Sequence, residues 1–79
     1  MKKKLILPGK LAHLAKVPKS VVMRYLKVGL VEPNGKTPAG YPLFNGETIL
    51  KVIEIRKLEK AEWPLRVIRR RIAKIYGQR

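Results

Sequence analysis

Between Lys19 and Val28 the chain divides its polar and apolar residues completely. On a helical wheel Lys19, Ser20, Met23, Arg24 and Lys27 share one arc, while Val21, Val22, Tyr25, Leu26 and Val28 share the other. A helix this short does not hold itself in water, so its apolar arc must pack on a small body, leaving the polar arc outside. Ahead of it, Pro8-Gly9 opens a first helix, roughly Gly9 to Ala15, whose apolar face is Leu11, Ala12, Leu14 and Ala15. Ala12 is small enough to let a second helix cross steeply there. In the intervening turn, Lys16 stands where helices often place a left-handed glycine. Either Lys16 adopts positive φ at about 1 kcal/mol, or the turn differs. Val17 is expected to point inward, and Pro18 to start the next helix.

After Gly29 the pattern changes. Leu30-Val31-Glu32 begins an extended segment, residues 33–40 (P-N-G-K-T-P-A-G) are turn chemistry throughout, and Tyr41-Pro42-Leu43-Phe44 returns as a strand. The result is a two-stranded hairpin with a long tip, a wing over residues 33–44. Pro42 cannot donate to a ladder and belongs at an edge. Asn45 caps a third helix with Glu47 in its first turn. That helix runs to about Lys60, burying Ile49, Val52, Ile53 and Ile55, with Leu50 and Leu58 on its flank. Ala61-Glu62-Trp63 is a break, and Pro64 starts a fourth helix with a core stripe of Leu65, Ile68, Ile72 and Ile75. Leu5 to Leu7 reads as a short extended lead over one edge of the core, behind a basic arm at residues 1–4. The fold class is therefore mainly α: a winged helix-turn-helix of about four helices and a hairpin wing, in one domain over residues 1–79.

Charge gives this scaffold a partner. Nineteen Lys and Arg against five acids set a formal charge of +14, which repels itself and suits a polyanion. Residues 1–31 and 63–79 hold cations and no acid, whereas all the acids are glutamates between Glu32 and Glu62. Apolar residues at 46% still support a folded core. Absent cysteine excludes a disulfide framework and thiolate metal or redox sites. Three apolar residues after the lysine triplet are too few for a signal peptide, and no segment is long enough to cross a bilayer, so the expected location is the cytoplasm or nucleoid.

Catalysis is poorly served. With no Cys, no Asp, one Ser and one His in separate helices, and no phosphate loop, the chain is read as a non-enzyme without cofactor or metal. His13 has no ligand or nucleophile nearby and is read as a surface residue.

These residues resemble the mercury-resistance-regulator (MerR) type of winged helix-turn-helix from Gly9 to about Ile72. The resemblance is carried by G-K-L-A-H-L-A-K-V-P-K-S-V-V-M-R-Y-L-K-V-G-L-V over the first two helices, A-G-Y-P-L-F-N-G-E-T-I over the wing and next helix, and I-R-K-L-E-K-A-E-W-P-L-R-V-I at the third-to-fourth helix junction. It implies that Tyr25 approaches the sugar-phosphate backbone and that the Arg24 and Lys27 side of the helix lies in the groove. The chain departs from the pattern in two residues: Met23 stands at a common arginine, and Pro42 replaces the arginine of the usual Gly-Tyr-Arg wing. Its end at Arg79 is the third departure, because full-length members continue into a dimerising coiled coil and a ligand-binding domain. A short standalone member with no small-molecule effector is therefore expected.

The leading reading is sequence-specific binding of double-stranded DNA by a small transcriptional regulator. Helix 19–28 would read the major groove, and wing 33–44 the backbone or minor groove. Ser20, Met23, Arg24 and Lys27 are the candidates for base edges, Arg24 suiting guanine by its fork. Lys10, Lys16, Lys19, Tyr25, Lys36, Arg69 and Arg70 are the candidates for backbone or groove. Cooperative head-to-tail self-association on DNA is expected, with arginines of the last helix against a neighbour's glutamates. Alternatives are an excisionase-like factor that bends DNA, an RNA- or ribosome-associated basic protein, and a protein adaptor docking through the last helix. A basic amphipathic last helix could also lie on an anionic membrane, but core packing is preferred for its stripe.

Overall fold

The computed structural model describes residues 4–77. Four α-helices and one hairpin follow the expected order: α1 (Pro8–Ala15), α2 (Lys19–Lys27), β1 (Gly35–Lys36), β2 (Pro42–Leu43), α3 (Glu47–Lys60) and α4 (Leu65–Ile72), then a π-helical turn, Ala73–Gly77. Among the described residues no helix is long and apolar enough to cross a membrane. Of the expected basic arm only Lys4 is described, and it is exposed; residues 1–3 lie outside the described residues.

Pro8 takes the first position of α1, where its missing N–H is no loss. Leu11, Ala12 and Ala15 are buried, and α1 packs against both α2 and α3. Leu14, expected inside, is exposed, because the buried stripe of so short a helix is narrow. On α2 the polar arc, Lys19, Ser20, Met23, Arg24 and Lys27, is exposed as the wheel expects, and in the apolar arc Val21, Val22 and Tyr25 are buried while Leu26 and Val28 are half-buried against the core.

Three helices end in the same way. In α1 the Lys16 and Val17 N–H groups donate to the carbonyls of His13 and Ala12; in α2 those of Gly29 and Leu30 donate to Leu26 and Tyr25; in α3 those of Glu62 and Trp63 donate to Glu59 and Leu58. Each pair is a Schellman closure, which needs one residue in the left-handed region. Gly29 supplies it at φ 82°, whereas Lys16 and Glu62 supply it as non-glycines. Of the two turns the sequence allowed at Lys16, the left-handed one is therefore adopted.

Leu30 and Val31 do not form a strand. Both are buried and donate to the Tyr25 carbonyl, so the chain is tied beneath α2 before it reaches the wing. The wing is shorter than expected: Gly35 pairs with Leu43 and Lys36 with Pro42, antiparallel. Its tip is closed by Thr37, whose N–H donates to the Tyr41 carbonyl and whose Oγ1 accepts from the Tyr41 N–H at 3.0 Å. The lead docks on the far side, where Ile6 and Phe44 exchange both backbone hydrogen bonds at 2.8 Å. Phe44 is thereby fixed in the core.

Asn45 caps α3 as expected, its Oδ1 accepting from the Thr48 N–H and hydroxyl. The buried face of α3 is rotated from the expected one, however. Thr48, Val52, Ile55 and Leu58 are buried, Ile49 is half-buried, and Ile53 is exposed. With apolar residues at 49, 50, 52, 53, 55 and 58, periodicity alone left the face ambiguous. Packing of α3 against α1 and α4 settles the rotation. In α4, Ile68 and Ile72 are buried, but Leu65, Ile75 and Trp63 are largely exposed. Beyond Ile72 the i→i+5 winding places Tyr76, not Ile75, against the core.

Candidate nucleic-acid interface

Helix α2 presents its polar arc outward, and three other parts of the chain ring it. At its N-terminal half, Lys19 and Met23 line a groove of about 480 Å³ with Leu7, Pro8, Gly9 and Lys10 of the lead and α1, and Tyr41 and Pro42 of the wing. The wing therefore stands beside the polar face of α2. Lys10 and Lys19 border the same groove, and Lys36 is exposed on β1, paired with Pro42. Lys16 is exposed at the turn between α1 and α2. Tyr41, 62% exposed, joins this groove although the sequence assigned it only to a strand. Only the hairpin register and its docking beside α2 bring Tyr41 there.

Midway along α2, Arg24 is engaged within the protein. Its Nη1 donates to Glu59 Oε2 at 2.9 Å and its Nη2 to Glu59 Oε1 at 3.3 Å. Oε1 also accepts from the Tyr25 hydroxyl at 2.7 Å and from Arg56 Nη1 at 3.4 Å. The Arg24 guanidinium lies 5.4 Å from the centre of the Tyr25 ring. Glu59, at the end of α3, thus gathers three donors, two of them consecutive residues of α2. Sequence reasoning missed it because Glu59 stands 35 residues from Arg24.

Tyr25, expected at the sugar-phosphate backbone, lies inward in the folded chain. Its side chain is 1% exposed and its hydroxyl is held by Glu59, so it serves as a core residue where a backbone contact was expected. Burial, with the Glu59 carboxylate as the second cause, pushes its phenol up to about 12, outweighing the opposite effect of Arg56.

At the C-terminal end of α2, Arg69 comes close to the helix. A Cβ on Gly29 would meet Arg69 Nη1 at 3.4 Å, which places this cation where the helix dipole favours one. Arg70 is exposed on α4. Arg71 is drawn the other way: its Nε lies 3.7 Å from Glu54 Oε2 and its guanidinium 5.6 Å from the Trp63 ring centre. Glu54 is also 4.0 Å from Lys57 Nζ. Of the glutamates expected to receive a neighbour's arginines, Glu54 and Glu59 therefore have partners within the chain, while Glu32, Glu47 and Glu62 are exposed.

No protein-family model matches the chain, and no curated protein matches it. Among solved structures it is similar to the crystal structure of a transcriptional regulator of the MerR family from Bacillus cereus, with a TM-score of 0.73 and 21% identity. The likeness covers 96% of this chain and 54% of that one, so the chain spans about half the length of that regulator. At this identity the likeness is one of fold, and it agrees with the winged helix-turn-helix described above.

Proposed function

We propose that this chain is a double-stranded DNA-binding module that reads a preferred sequence in the major groove through α2 and acts, without catalysis, as a small transcriptional regulator on the nucleoid. The observation that carries the reading is the clean partition of α2: an outward arc of Lys19, Ser20, Met23, Arg24 and Lys27 beside a wing, on a body with a formal charge of +14. Ser20, Met23, Arg24 and Lys27 meet base edges. Lys10, Lys16, Lys19 and Lys36 hold phosphates around the groove, with Arg69 and Arg70 at the far end of the helix. The fold shared with a MerR-family regulator supports the same reading.

Two copies on neighbouring sites are proposed to associate head to tail, with Arg66 of one, the α4 arginine neither assigned to phosphates nor paired with Glu54, facing Glu32, Glu47 and Glu62 of the next. Phosphates screen the repulsion between copies once both are bound. No small-molecule effector is invoked.

Selection of bound fragments from a random duplex pool, followed by salt titration, tests the function. A shared sequence should emerge, and log K should fall against log salt with a slope of roughly −4 to −8. A flat salt response, or tighter binding to hairpin RNA than to any duplex, would overturn it.

A further inference from the structure

We infer that Glu59 determines the sequence specificity of the recognition helix by holding the Arg24 guanidinium in a fixed, charge-compensated pose. The inference rests on the proposed DNA reading and concerns how that reading discriminates. An arginine carries five N–H donors in a rigid fork. Here the end edge, Nη1 and Nη2, is taken by the Glu59 carboxylate. The side edge, Nε–H with its neighbouring Nη–H, has no hydrogen-bond partner among the described residues, and the Arg24 side chain is about half-exposed, at 49%. Two parallel donors of that kind match the O6 and N7 acceptors of guanine.

Glu59 is itself anchored. The hydroxyl of the buried Tyr25 and the Arg56 guanidinium hold Oε1 from two helices, and the Tyr25 ring lies beside the Arg24 guanidinium. Arg24 is therefore oriented before any duplex arrives, so less side-chain freedom is lost on binding. Charge matters as much as pose. Sequence-independent affinity grows with the number of cations set against phosphates, and a carboxylate on Arg24 removes one of them from that sum. The paired Arg24 adds little on an arbitrary sequence and keeps its directional donors for a base that fits.

The test compares the full chain, Glu59→Gln, Arg24→Ala, Arg24→Lys and the double variant Glu59→Gln with Arg24→Ala, each titrated on the selected duplex and on a scrambled one. Glutamine keeps an acceptor for the Tyr25 hydroxyl but turns the other carboxylate oxygen into an NH2 donor, so it removes the charge and one of the two hydrogen bonds to Arg24 together. Glu59→Gln should bind scrambled duplex roughly threefold to tenfold more tightly, with a salt slope steeper by about one, and gain less on the selected duplex. In the Arg24→Ala background the same substitution should leave the preference unchanged. Arg24→Lys keeps the charge without the fork and should lose most of the preference. Equal gains on both duplexes from Glu59→Gln, a loss of preference that persists without Arg24, or an Arg24→Lys protein as selective as the parent would each overturn the inference. A parent chain with no preferred duplex would instead remove the DNA reading and this inference with it.

Discussion

Lys16 and Glu62 hold the same structural position in different helix closures: each is a non-glycine in the left-handed region, at φ 59° and φ 62°, where Gly29 does the same work for α2. An L side chain in that region costs about 1 kcal/mol, partly offset by the stiffer unfolded chain it gives. Lys16→Gly and Glu62→Gly should each stabilise the fold by about 0.5 to 1 kcal/mol, seen as a rise in Tm of roughly 2 to 8 °C. Lys16→Gly should also weaken DNA binding, because the lysine borders the interface. A fall in Tm for both variants would show that the side chains contribute more than the backbone strain they carry.

The rotation of α3 predicts a sharp contrast between neighbours. Ile55 is fully buried and Leu50 is 61% exposed, so Ile55→Ala should cost about 2 to 5 kcal/mol and Leu50→Ala less than about 0.5 kcal/mol in urea unfolding. Leu58→Ala should exceed Ile53→Ala for the same reason. A larger loss for Ile53→Ala than for Leu58→Ala would return the helix to the face that periodicity first suggested.

Alkaline stability should depend on Tyr25. Its folded pKa, about 12, lies above the ordinary value of 10.0, so the folded state holds this proton more tightly than the unfolded state does. The stability it contributes is complete below about pH 10 and is lost as pH rises through about 12. Denaturation at pH 9 and pH 11 should show a steeper loss for the parent chain than for Tyr25→Phe, which has no phenol to ionise. Identical losses would mean that the hydroxyl is not held as described.

On DNA, Arg24 and Lys36 should act differently. Arg24→Ala is expected to weaken a preferred duplex by about 1 to 3 kcal/mol while barely changing affinity for scrambled sequence. Lys36→Ala, on the wing, should weaken all sequences alike and flatten the salt slope by about one. Equal losses on both duplexes for Arg24→Ala would remove that residue from direct readout.

Self-association is tested by spacing. A recognition helix reads few base pairs, so paired sites should be filled more tightly than the square of single-site binding, while sedimentation without DNA shows a monomer. A stable dimer without DNA, or independent occupancy of tandem sites, would contradict the head-to-tail arrangement.

What the sequence by itself determined is everything that rests on local chemistry. The partition of α2, the breaks at Gly29 and Glu62, the Asn45 cap and the excess of cations are properties of neighbouring residues, and periodicity or turn preference reads them directly. The tertiary structure decided whatever needed two distant segments to meet. Helix α3 has apolar residues on several faces, so only packing against α1 and α4 chose Leu58 over Ile53. Tyr25 is amphipathic, and its hydroxyl turned inward because Glu59 waited there; Arg24 looks free on a wheel, yet its charge is met by that same carboxylate. Hydrogen bonds and ion pairs act over a few ångströms of space, and such distances between Arg24 and Glu59 come into being only when α2 and α3 are folded together.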